Sequence, residues 1–130
     1  MGHIIDALRK KPDLIHGDGC TKEQIDATQK ALNLTFAEDY REYLQTYALV
    51  AYDGHELTGI TQTPRLNVVS ATKSEREYND KIPDDMYVVE ITGMDGLVIW
   101  QKNSGEIYYS QLDSAPIKKH DNLVEFVESY

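Results

Sequence analysis

Asp53, His55 and Glu56 lie within four positions of one another and form the densest group of potential metal ligands in the chain. Two carboxylates and an imidazole suit a divalent cation if the backbone turns all three toward one point. Asp53-Gly54, however, is the signature of a type I′ hairpin turn, and strand alternation sends Glu56 to the side opposite His55 and Leu57. The sequence therefore predicts a hairpin here and no metal site. Cys20 precedes a helix start, where the positive end of a helix can lower a thiol pKa and create a nucleophile. Such a nucleophile needs a base, and the local sequence sets none of His3, His16, His55 or His120 against it. Gly17-Asp18-Gly19 is too short to cradle a phosphate and reads as a turn. No HExxH, glycine-rich phosphate loop or nucleophile elbow is present. One cysteine can form neither an internal disulfide nor a cysteine-rich zinc site. The expectation is a protein without catalytic residues, metal or cofactor.

What is left is charge and tyrosine. The 130 residues carry 22 acids against 13 lysines and arginines, a net charge of -9. That field opposes direct nucleic-acid binding, which needs cations to displace counterions. It suits a basic protein partner, whose approach it steers. Nine tyrosines stand against two phenylalanines and one tryptophan. Tyrosine offers a large contact area with a polar tip and is enriched at protein interfaces. Tyr87, Tyr108 and Tyr109, with Asp84, Asp85, Glu90, Asp95 and Glu106 nearby, form the candidate partner-binding surface. The plainer alternative, in which half of these tyrosines pack inside and the acids are merely solvated, stays open.

The elements that must position these residues follow from periodicity and caps. Residues 4–9 read as a short helix stopped by Pro12, and 15–19 as a loop. Thr21 with Gln24 makes a capping box for a helix carrying Ile25, Thr28 and Leu32 on one face. Glu38 and Asp39 suit the start of the next helix, and Tyr40, Tyr43, Leu44 and Tyr47 line its core face, hydroxyls reaching the surface. After the hairpin, with residues 56–60 as its returning strand, Asn67 caps a helix over 68–78. Alternation and turn residues predict strands 86–92, 97–102 and 106–110, an antiparallel meander with one face covered by helices. Residues 111–120 read as a loop before a last helix capped by Asp121 or Asn122, with Leu123, Phe126 and Val127 inward. The expected fold class is α+β. It is a single domain over residues 1–130, with a twisted, mainly antiparallel sheet (early hairpin plus later three-stranded meander) packed against several helices. Met1 to Asp6 shows no leader pattern, Asp6 argues against a myristoyl anchor on Gly2, and no apolar run reaches membrane-spanning length.

This ordered run resembles the SUKH superfamily, which takes in fungal cell-wall-synthesis regulators of the SMI/KNR type and many bacterial immunity proteins. The resemblance rests on Gly19-Cys20-Thr21, Ile25, Leu32, the segment Phe36 to Leu44, and Glu56 to Ile60. It continues through Val68-Val69 with Thr72 and Arg76, and closes with Leu123 to Val127. Two departures stand out. Ala37 replaces a helix-starting proline, and Tyr47-Ala48-Leu49 replaces a stretch that usually carries glycine. The resemblance implies an SMI/KNR-type fold and an immunity protein, and the single Cys20 makes a cytoplasmic home the simplest reading. Its partner would be a cognate secreted or contact-delivered polymorphic toxin, most simply a basic nuclease domain, with neither nucleic acid nor membrane bound directly. The fungal relatives imply the alternative of an intracellular scaffold or regulatory protein-binding module without a toxin partner.

Overall fold

Thr21 accepts the Gln24 backbone N–H while the Gln24 side chain accepts the Thr21 N–H, so the predicted capping box starts α2 (Lys22–Leu32). It is preceded by α1 (His3–Arg9) and a two-residue strand, β1 (Ile15–His16), where the sequence predicted only a loop. Further along come α3 (Glu38–Thr46), β2 (Val50–Tyr52), β3 (His55–Glu56), a 3-10 turn at Pro64–Leu66, and α4 (Val68–Tyr78). The chain ends with β4 (Met86–Ile91), β5 (Leu97–Lys102), β6 (Ile107–Gln111), β7 (Ile117–His120) and α5 (Leu123–Glu128). The computed structural model describes residues 3–129. Met1 and Gly2, which bear on the leader and anchor readings, lie outside them. Among the described residues no helix is long and apolar enough to cross a membrane.

Two antiparallel sheets result, in the orders β1-β2-β3 and β4-β5-β6-β7. The later meander thus has a fourth strand. β7 carries Lys118 and Lys119 in solvent and no alternating apolar pattern, so strand periodicity could not reveal it. The hairpin turns at Asp53 and Gly54, both at positive φ as a type I′ turn requires. β3 leaves its sheet after Glu56. Its continuation runs beside β4, where the Thr58 N–H donates to the Val89 carbonyl at 2.8 Å and joins the two sheets.

Helices cover both faces of the four-stranded sheet. Tyr87, Val89, Ile99 and Ile107 face a main core shared with α1, α2, α3 and α5. Val88, Val98 and Trp100 face a smaller cluster with Ala71 of α4 and Ile82. The expectation of one covered face is corrected here: burying both faces gives β4 an unbroken apolar run from Met86 to Val89 rather than an alternating one. Phe36 stands edge-on to Tyr40 and Tyr87 with ring centroids 5.0 and 4.7 Å away. Such pairs add about 0.5–1.5 kcal/mol each beyond simple burial. The hydroxyls of Tyr40 and Tyr43, expected at the surface, are buried with their rings. Tyr43 donates to the Thr58 carbonyl at 2.7 Å, and the Tyr40 hydroxyl lies 2.8 Å from the Thr58 hydroxyl, which donates to the Val88 carbonyl.

Both departures from the family pattern have a physical account. Ala37 has φ -61°, which a proline could adopt, but its N–H donates to the Tyr87 hydroxyl, a bond proline cannot make. Ala48 sits at φ +63°, the left-handed conformation that a glycine takes freely.

Candidate functional site

The eight candidate partner-binding residues do not form one surface. Tyr87 is fully buried and Glu90 is 3% exposed, so neither can touch a partner; this corrects their assignment. Tyr87 belongs to a closed polar network beneath α3. Its hydroxyl accepts the Ala37 N–H at 2.9 Å and donates to Gln101 Oε1 at 2.7 Å. Gln101 Nε2 donates to Asp39 Oδ1 and to the Gly105 carbonyl, and Asp39 Oδ2 accepts the Leu123 N–H at 2.8 Å. One buried chain of bonds therefore ties the starts of α3 and α5 to the middle strand β5. Burial raises the Asp39 carboxyl above the ordinary aspartate range, against the lowering effect of those donors.

Glu90 is buried just past the bulge in β4, where the register with β5 shifts between Val88 and Glu90. Its carboxylate lies 3.0 Å from His55 Nδ1 and accepts the Glu56 N–H at 3.2 Å. His55 is packed against Tyr52 and Phe126. The hairpin residues therefore part company: His55 turns inward to Glu90, and Glu56 turns outward to Arg65 at 2.8 Å. Among the described residues no group of three histidine, cysteine or acidic side chains converges where a metal could sit. Cys20 donates its S–H to the Leu44 carbonyl at 3.0 Å, and burial pushes its thiol pKa up, away from the nucleophilic thiolate.

The remaining six candidates reach solvent but are dispersed. Tyr108 and Tyr109 leave opposite faces of β6: Tyr108 packs beside the α4 cluster, and Tyr109 beside the main core with its hydroxyl 3.1 Å from His120 Nε2. Asp85 lies 4.0 Å from the Lys102 ammonium. Glu106 sits among Ser104, Lys102 and Lys118, which hold its carboxyl below the ordinary glutamate range. Lys118 pairs in turn with Asp121 at 2.9 Å. This end of the sheet is thus an alternating row of acids and lysines, and its charges largely cancel. Asp84 and Asp95 are exposed, the latter on the turn between β4 and β5.

Acids also gather elsewhere, among them the Asp121 that pairs with Lys118. Glu38, Asp39, Glu42 and Asp121 line an open cleft of about 320 Å³ between the starts of α3 and α5, with His3 and the Ser104-Gly105 turn. At another end of the molecule Glu75, Tyr78, Gly96, Leu112 and Asp113 line a notch of about 360 Å³. The sequence reading missed this notch because Tyr78 is the last residue of a helix and Leu112 lay in a supposed loop. The available signal was an unpatterned leucine between polar neighbours, Gln111 and Asp113.

Comparison with known proteins adds one finding. The family described as SUKH_5, SMI1-KNR4 cell-wall, matches residues 1–130. None of the curated proteins matches the chain.

Proposed function

We propose a function from one premise: the chain belongs to the SUKH_5 family of SMI1-KNR4 cell-wall proteins. It is an immunity protein that captures a cognate polymorphic toxin one to one and makes or breaks no covalent bond. The observation that carries this reading is the net charge of -9 on a fold whose acids are mostly exposed. A nuclease toxin must present a basic cleft to hold a phosphate backbone, and a protein of opposite sign competes for that cleft. Asp84 and Asp95 contribute to the steering field, and Asp85 and Glu106, set beside lysines, contribute less. Tyr87 and Glu90 serve the fold instead. The place of action is the cytoplasm, where the lone Cys20 stays reduced.

Co-expression with the toxin domain encoded beside the gene tests the proposal. The toxin should kill alone and become harmless with this chain, and the pair should elute as one stoichiometric complex. An interface of about 1,600 Å² or more is expected. Association should slow as salt rises, because the attraction is screened over about 8–10 Å at physiological ionic strength. Killing that persists beside abundant folded protein overturns the proposal. Recovery of several host regulators and no toxin indicates the scaffold role instead.

A further inference from the structure

Tyr78 is 78% exposed, Leu112 73% and Met94 65%, and these large apolar side chains stand on elements that meet at one end of the molecule. Tyr78 and Leu112 both line the notch, and Met94 lies on the adjoining turn with Asp95 and Gly96. Clustered apolar side chains in solvent mark contact sites more often than isolated ones do.

Leu112 is the informative residue. Its φ is +54°, a conformation that glycine or asparagine tolerates and leucine adopts at a cost in stability. Yet the loop around it is firmly held. The Leu112 N–H donates to the Gly96 carbonyl at 3.1 Å, and buried Asn79 donates to the Ser114 carbonyl at 2.7 Å. The Lys81 ammonium donates to the Asp113 carbonyl at 2.8 Å. Bonds from α4's end, the β4–β5 turn and Lys81 thus fix a strained backbone that displays leucine to water. Strain of this kind persists where a function uses it, and a contact fixed in advance loses less entropy on binding.

The rim gives the partner's chemistry. Glu75 and Asp113 line the notch and Asp95 stands on the neighbouring turn, three acids against the ammonium of Lys81, which the loop backbone holds. A second copy of this chain would set one acidic rim against another, so like charge opposes self-association here. Burial already raises the Glu75 carboxyl pKa, so a docking cation gains more beside it than beside a fully hydrated acid.

We propose that this notch anchors the basic protein partner: an apolar side chain of the partner seats between Tyr78 and Leu112, and flanking lysines or arginines meet Glu75, Asp95 and Asp113. The proposal rests on the capture reading and places the principal contact away from the meander tyrosines. Its test measures affinity for the toxin domain encoded beside the gene, alongside thermal unfolding of the free protein. Leu112→Asn keeps the left-handed turn, so it should unfold at the same temperature as the wild type or higher. Its affinity should nevertheless fall about 30-fold, the loss typical of an interface hot spot. Tyr78→Ser should lose at least about tenfold, and Ile15→Ser, at an exposed apolar residue on β1, should bind like the wild type. Wild-type protein that forms no complex overturns both the capture reading and the notch. A wild-type complex that both notch variants reproduce overturns the notch alone and leaves capture standing. A dimer of the free protein that Leu112→Asn dissociates also overturns it, because the occupant would then be a second copy.

Discussion

Replacing Tyr87 with phenylalanine removes one oxygen atom and nothing else, in a place where the surrounding structure states what that oxygen does. It accepts the Ala37 N–H at 2.9 Å and donates to Gln101 Oε1 at 2.7 Å, and the side chain is wholly buried. The ring keeps its edge contacts with Phe36 and Tyr40, so little packing is lost. Two buried polar groups lose this partner at once, each at about 1–3 kcal/mol. Partial relaxation reduces the sum, and a destabilisation of about 3 kcal/mol is expected, within the ~5–15 kcal/mol that holds such a domain together. With a urea slope of ~2 kcal/mol per molar, the unfolding midpoint falls by about 1.5 M at an unchanged slope. Tyr78→Phe is the control: that hydroxyl sits on an exposed side chain, and the unfolding free energy should stay within about 0.5 kcal/mol of the wild type. A Tyr87→Phe protein with a wild-type midpoint refutes the network's role. If its binding to the toxin also fell about tenfold, the hydroxyl would lie at an interface and the burial reasoning would be wrong.

Other expectations follow from single contacts. Thr21→Ala removes half of the capping box of α2 and should cost about 1 kcal/mol, while Thr21→Ser should cost a few tenths, both read by urea unfolding. A Cβ on Gly59 would lie 1.7 Å from the Ala48 carbonyl oxygen, a backbone atom that cannot swing aside. Gly59→Ala should therefore lose more than about 4 kcal/mol, and a melting temperature near the wild-type value contradicts the close approach. In a carboxyl NMR titration, Asp39 should ionise above the ordinary aspartate value and Asp121, held by Lys118, below it. The signs for stability are opposite. The Asp39 contribution is fully present below the unfolded pKa and is lost as pH rises through the raised folded value. The Asp121 contribution is present above the unfolded pKa and is lost as pH falls through the lowered one.

Periodicity and cap chemistry alone locate the local elements here. The capped helices α2 and α4, the tyrosine stripe of α3, the Asp53-Gly54 hairpin and the first three meander strands all depend on residues within a few positions of one another. Charge and composition, being sums, also need no fold. Tertiary structure alone decided which faces meet. It covered the sheet from both sides, paired β7 to β6 without an apolar pattern, and used a bulge in β4 to bring Glu90 to His55, 35 positions away. It buried Tyr87, a candidate contact residue, and left Tyr78 and Leu112, which no local pattern singles out, in water. The reason is physical: a residue's local signal reports the conformation of its own segment, whereas its exposure depends on what other segments cover, and that is settled only when the whole chain packs.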